Sequence, residues 1–588
     1  MAAGRVDAVA SLAAVSALAA GAYPAAQRGK GVLWTDDPAV ELPIRVAAAG
    51  SAGGGSNDVA GMAPTTVHAA FQATVRTAGS FTALTVKRGG VWQRWSWAQY
   101  YDAARAFARA CLSPAVELRR WQGVGLLAAN SPEWAIGAVG AILAGGLQAG
   151  IYTTNTAEAV EAALAHAEAG VVVVDDAVQL GKVLAVARRL PHLRAIVYAG
   201  AGELPAEAHA TAGVYTWAAF LALADEVPDG KLNERVAEAR AGHACTLIFT
   251  SGTTGVPKAV MLSHDNVLWT AVAGNLHVQA KRGDVIVSYL PLSHIAAQIT
   301  DLYGALTTGV TVAFAQPDAL RGSLITTLQE VRPSYFLGVP RVYEKIEERL
   351  RAIGAANAAS APLRAAVGDW AKRVGSAGSA AALAGSARPI TYPIADALIF
   401  RHIRAALGLD RCRLLATGAA PTSRATLEYF ASLGMVLREV YGMSECTGPH
   451  TLRARGGPGP TPGGPGGPTP RGGGGTGRRG GGGGAGRAAP PAMAPAVCIG
   501  DRRKFVSALL TLKVEPDADG APTATLSDVS RAFAAAVGST ARTTHDAARC
   551  SRLRVALQDA VTRANTRAVS NAARVQRWTL LPMDFRCV

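Results

Sequence analysis

The sequence holds only seven cysteines, at positions 111, 245, 412, 446, 498, 550 and 587. The number is odd and no pair is spaced C-x-x-C. That excludes a disulfide framework and a cysteine zinc site, and it points to a reducing compartment. No apolar run is long enough to span a bilayer: residues 8–20 are short and Ala-rich, and residues 135–151 are diluted by Ala and Gly. No internal repeat occurs. Residues 455–487 lack acids and large apolar side chains, but contain eighteen Gly and six Pro. Such a stretch cannot bury a core, so disorder is expected there.

Acids are scarce near the end of the chain. The net charge is +16; residues 453–487 hold six Arg and no acid, and residues 537–588 hold nine Arg against three Asp. A basic tail can attract acidic lipid or nucleic acid. A solvated basic surface is the simpler reading. RNA binding through the Arg/Gly stretch is disfavoured, because that stretch has no aromatic residue to stack on bases and its Arg spacing is irregular.

What is present argues for a folded protein of several domains. The chain has 588 residues, too many for one core, and 49% are hydrophobic. Residues 1–65 are Ala/Gly-rich and read as an unstructured leader, with a linker at 50–56. From residue 67 the pattern is globular. Residues 81–87 and 91–95 read as paired strands around Gly89 and Gly90, and Ser96 can cap the helix that follows. Apolar runs at 123–129, Val171–Val174 and Ala195–Tyr198 alternate with helical stretches. Further runs lie at 285–290, 310–314, 334–338, 412–417 and 435–440. This alternation implies an α/β fold whose sheet is mostly parallel and flanked by helices. Ligands then gather at the strand C-termini.

The densest motif lies at residues 246–266. An apolar run ends in Thr250, Ser251, Gly252, Thr253, Thr254, Gly255, Val256, Pro257 and Lys258, and a second apolar run follows. Glycines let the backbone approach an anion, hydroxyls and free N–H groups donate, and the lysine adds charge. The reading is a phosphate-holding loop between two strands, with Ser263 capping the next helix. The Walker A spacing is absent, and no helix follows Lys258 directly. An ordinary Ser/Thr/Gly hairpin is the alternative.

T-S-G-T-T-G-x-P-K resembles the phosphate loop of adenylate-forming (AMP-binding) enzymes, although the family usually has Gly where Ala259 stands. Other motifs narrow the likeness to bubblegum-type long-chain acyl-CoA synthetases. They include G-I-Y-T-T-N at 150–155, V-S-Y-L-P-L-S-H-I-A-A-Q at 287–298, Y-G-M-S-E at 441–445 and I-G-D-R-R-K-F at 499–505. The resemblance implies a large multi-sheet adenylate-forming domain over 66–452 and an incomplete small α+β C-terminal domain over 497–588. The Gly/Pro/Arg segment 453–496 separates them.

It also implies roles. Residues 250–258 would wrap the β- and γ-phosphates of ATP. Gly418, Ala419, Ala420 and Tyr441 with Gly442 would border adenine. Ser444 would contact the α-phosphate, Glu445 would hold Mg²⁺, and His294 would lie beside the acyl carboxylate. One open sheet can place these loops on one rim. The implied reaction joins a long-chain fatty acid to CoA through an acyl-adenylate. A cytoplasmic location follows, with room for peripheral contact on an intracellular membrane.

The sequence departs from the family in three places. After Y-G-x-S-E the family has a T-G-D that holds ribose, then a G-R-x-K-E hinge; neither occurs here. A late lysine is expected beyond residue 585, and the sequence ends at 588. Two explanations compete: a misassembled reading frame with an intron read through at about 453–496 and a lost final exon, or an acyl-binding pseudoenzyme. The acid-free low complexity favours the first. Adenylation is expected to be severely weakened either way.

Overall fold

A computed structural model describes residues 62–200, 202–205, 208, 211, 213–250, 258–360, 362–452, 497–499, 506–516, 522–566 and 574–581. The sequence-based expectations for residues 1–61, for 251–257 and for the segment 453–496 lie outside these. Strands β1 (Thr82–Arg88) and β2 (Val91–Ser96) come first. Next are β3 (Gly123–Leu127), β4 (Leu147–Gly150), β5 (Val171–Val174), β6 (Ala195–Tyr198) and β7 (Val214–Thr216). β8 (Ala244–Thr250) and β9 (Lys258–Ser263) stand on either side of residues 251–257. Then come β10 (Val285–Ser288), β11 (Thr311–Phe314), β12 (Tyr335–Gly338), β13 (Leu414–Gly418), β14 (Leu437–Met443) and β15 (Gly448–Leu452).

These strands form three sheets rather than one. The largest has seven strands in the order β7-β6-β5-β3-β4-β8-β9, parallel except for the β8–β9 pair. A second has the order β10-β11-β1-β2, and a third β12-β13-β14-β15. Each again ends in one antiparallel pair on otherwise parallel strands. This is the multi-sheet domain that the family resemblance implies, and the one-sheet rim that the motif order allowed is replaced by three sheets. Sequence periodicity marks strands but not their partners: β1 pairs with β11, where Thr311 Oγ1 donates to Thr82 O at 2.7 Å across 229 residues.

Local chemistry explains the elements. Gly89 and Gly90 both have positive φ, the geometry a two-residue hairpin needs. Ser96 caps helix α1 (Trp97–Cys111) in a capping box with Gln99. Ser131 caps α2 (Pro132–Leu143), all twelve residues of which are buried. A helix apolar on every side must be enclosed by other layers. α2 packs closely on α1: a Cβ at Gly140 would lie 2.7 Å from Phe107 and 2.9 Å from Ala104 O. Around them Phe71, Trp97, Tyr100, Phe107 and Trp134 form the aromatic heart of the main core.

The C-terminal stretch has its own sheets and core. β16 (Val497–Ile499), β17 (Val506–Leu510) and β20 (Val575–Leu580) form one sheet, and β18 (Val514–Pro516) pairs with β19 (Pro522–Leu526). The apolar run 506–514 thus breaks between two sheets, with β17 ending at Leu510 and β18 starting at Val514. Leu512, Leu526, Ala534 and Leu553 form a separate apolar cluster among the helices that follow.

Candidate functional site

The segment read as a phosphate loop, residues 250–258, begins at the end of β8 and ends at the start of β9. Residues 251–257 lie outside the described residues, so Ser251, Gly252, Thr253, Thr254 and Gly255 have no structural account. Its two ends face each other: Thr250 pairs with Lys258, and Thr250 Oγ1 donates to Lys258 O at 3.5 Å. Ser263 ends β9 and caps α3 (His264–Val278) through a capping box with Asn266. The Lys258 side chain is exposed.

His294 leaves the end of β10 and caps a short helical turn. Its Nδ1 accepts from the Ala296 N–H at 3.1 Å. That bond puts the ring proton on Nε2, leaving an N–H free to donate. Burial holds the imidazole below its usual range, so it is neutral at pH 7. The segment carrying His294 is pinned from below. Asn130 Nδ2 donates to Ser288 Oγ at 2.9 Å and to Leu290 O at 2.7 Å, and Leu292 N–H donates to Asn130 Oδ1 at 2.9 Å. Gln298 adds a bond to Leu292 O at 2.8 Å.

Behind His294 the helix widens into a π-helical turn, Gln298–Gly304. Asp301 on this turn accepts from Thr300 Oγ1 at 2.5 Å and from Ser288. It keeps a little accessible surface, yet packing around the carboxyl raises it from 3.8 to about 7. Tyr303, two residues before the next helix begins at Ala305, hydrogen-bonds Thr246 in β8. Sequence reasoning missed Asn130 and Asp301. Asn130 reads as part of a helix-opening motif, and Asp301 is an acid inside an otherwise apolar stretch, which is the signal that could have exposed it.

Gly418 closes β13 and Ala419 follows with φ +65°, a left-handed geometry strained for alanine. Gly418 is required, because a Cβ there would lie 2.8 Å from Val440 O. Ala420 is exposed beside it. Tyr441 and Gly442 were expected in a loop. They lie instead inside β14, which continues to Met443 because β15 pairs with it. Only a glycine fits at 442, where a Cβ would come 1.9 Å from Gly448 O. The Tyr441 ring is 53% exposed and follows Val440, the register partner of Gly418. Ser444 and Glu445 stand on the 3₁₀ turn beyond. Among the described residues neither Lys258 nor Glu445 forms a salt bridge, and no group of three metal-ligating side chains occurs.

The His294 segment joins the three sheets. Gly150, at the end of β4, approaches so closely that a Cβ would lie 2.8 Å from Ser293 Cα. On the other side, a Cβ at Gly448 would meet Ile299 at 3.4 Å and Ile295 at 3.6 Å. Below this junction lies a cavity of about 80 Å³, lined by Ala271, Val278, Ile299, Leu337, Ala416 and Val440 among others. The geometry brings His294 between β4 and β15, and Ala419 beside Tyr441. Thr250 and Lys258 stand together on the neighbouring sheet.

The AMP-binding enzyme model matches residues 71–472. This chain belongs to the AMP-binding enzyme family. Long-chain-fatty-acid–CoA ligase ACSBG2 of Xenopus laevis is 37% identical, over 94% of this chain and 83% of that protein. The ACSBG2 ligase of Gallus gallus is 45% identical over 66% of this chain, and the match spans 51% of its own length. The ACSBG1 ligase of Mus musculus is 35% identical over 89% and 82% of the two chains. Among solved structures, the A-PCP didomain of carboxylic acid reductase from Segniliparus rugosus, in complex with AMP, aligns with a TM-score of 0.57. That alignment covers 90% of this chain and 79% of the other at 15% identity, a likeness of fold.

Proposed function

We propose that this chain is an ATP-dependent long-chain fatty acid–CoA ligase. The fatty acid carboxylate attacks the α-phosphate of ATP, giving acyl-adenylate and pyrophosphate. The CoA thiol then attacks the acyl carbon and AMP leaves. The reading is carried by the ordered set of loops within the family match at residues 71–472.

In this reading Lys258 and residues 250–257 hold the outer phosphates, which is positioning and charge stabilisation. Tyr441 stacks on adenine against Gly418, Ala419 and Ala420, with Gly442 beside it, while Ser444 meets the α-phosphate. The neutral His294 donates from Nε2 to the acyl carboxylate and keeps it oriented. Glu445 fits Mg²⁺: it is an exposed hard carboxylate, and Mg²⁺ takes most of its ligands from phosphates and water. The ion, when bound, neutralises charge on the phosphates. The acyl chain enters toward the apolar cavity below His294. The working location is the cytoplasm, with peripheral contact on an intracellular membrane.

A second reading, an acyl-binding pseudoenzyme, is favoured by one observation. The T-G-D and G-R-x-K-E motifs are replaced by the Gly/Pro/Arg segment 453–496. Charge-assisted contacts are worth about 1.5–3 kcal/mol each, so their loss severely weakens adenylation. The test is acyl-CoA formation from labelled palmitate, ATP, Mg²⁺ and CoA. A ligase shows product that falls roughly 10²-fold or more in Lys258→Ala and Glu445→Ala. Saturable palmitate binding without product establishes the pseudoenzyme instead.

A further inference from the structure

The long helices α4 (Pro340–Ser360) and α5 (Pro362–Ala384) leave an apolar surface uncovered. Leu363 is 83% exposed, Leu398 56% and Ile353 51%. Together with Val367 they line one open groove of about 780 Å³. Ile390 and Ile394, also exposed, stand on the segment that leads from α5 toward Leu398. Soluble monomers seldom leave so much contiguous aliphatic surface to water, and such patches mark interaction sites.

The surroundings of the groove are basic. Of its described lining cations, Arg351 pairs with Glu347 and Lys372 with Asp369, while Arg364 makes no ion pair among the described residues. Over residues 341–411 there are eleven Lys and Arg against six Asp and Glu. None of the described helices is long and apolar enough to cross a membrane. Aliphatic side chains within a basic rim instead match a surface that is apolar below and anionic above.

We propose that this face docks on a lipid bilayer carrying anionic headgroups. The proposal rests on the ligase reading, because a long-chain acid and its CoA thioester are amphiphiles that collect at membranes. Leu363, Ile353, Val367 and Leu398 enter the acyl boundary, and the basic rim meets the headgroups. A second copy of this chain is a poorer occupant. A two-fold contact sets the face against itself, and the two basic rims would repel.

Vesicle flotation of the full chain tests this, with phosphatidylcholine alone and with phosphatidylcholine–phosphatidylserine mixtures. The chain is expected to bind the mixed vesicles, to release as salt is raised, and to bind pure phosphatidylcholine weakly. The Leu363→Gln/Leu398→Gln pair and the Arg364→Glu variant should each bind roughly tenfold more weakly. All three side chains are exposed or line an open groove, and a thermal melt confirms that the variants fold. Wild-type protein that ignores anionic vesicles overturns the proposal, as do variants that bind like wild type. A dimer in solution that both variants dissolve gives the face to a second copy and overturns it too. Partition is measured without ATP or CoA, so its failure leaves the ligase reading standing, and a vesicle-bound chain that forms no acyl-CoA fails only the latter.

Discussion

Replacing Asn130 with alanine isolates how the His294 segment is held. The amide makes three bonds, to Ser288 Oγ, to Leu290 O and from Leu292 N–H, at 2.9, 2.7 and 2.9 Å. Each is worth about 1 kcal/mol net, so their sum bounds the loss at roughly 3 kcal/mol. Leu292 is buried, so its N–H loses a partner where water does not reach. Part of the loss appears as stability and part as freedom of residues 290–294. If half goes to positioning, about 1.5 kcal/mol of misalignment lowers the rate roughly tenfold. All three bonds of Asn130 run to the 288–292 segment, so the effect should fall on kcat while KM for ATP stays near wild type. Asn130→Asp should not rescue, because it keeps the acceptor for Leu292 but sets an anionic oxygen against Leu290 O. Urea unfolding and steady-state kinetics of acyl-CoA formation measure both parts. An alanine variant with an unchanged urea midpoint and unchanged kcat would refute the reasoning.

Two further outcomes follow from single atoms. Gly442→Ala places a Cβ on Gly448 O; β14 and β15 must separate, and a loss of about 1–3 kcal/mol or more is expected, with ATP binding by calorimetry abolished. A variant that still binds ATP normally would show that the strand pairing yields without harm. The Asp301 carboxyl is raised from 3.8 to about 7, so the folded state holds a proton that the unfolded chain releases. Its stabilising share is full below about pH 4 and is lost as pH rises through about 7. Asp301→Asn should therefore flatten the decline in stability between pH 4 and 8 in urea titrations, and an unchanged slope would contradict it.

The parts of this fold that were legible in sequence are those set by near neighbours. Val171–Val174 and Ala195–Tyr198 are wholly apolar and become wholly buried strands. Ser96 and Ser263 signal caps because the bond they make reaches only three residues ahead. The pairing of β8 with β9 is legible because two apolar runs flank a short Ser/Thr/Gly stretch. What escaped depends on distance in the chain. Tyr441 and Gly442 read as a loop because nothing in Y-G-M-S-E reveals that β15 will pair with them. The role of Asn130 depends on Leu290, 160 residues away. The division into three sheets depends on partners farther still.

That division has a consequence for how the molecule is held together. Each sheet has its own hydrogen-bond ladder, so each can fray at its strand ends without breaking the others. The His294 segment, wedged between Gly150 and Gly448, is the mortar at their meeting point. One core cluster runs from Val124 and Val171 to Val312 and Phe314, so the ladders are separate while the packing beneath two of the sheets is shared.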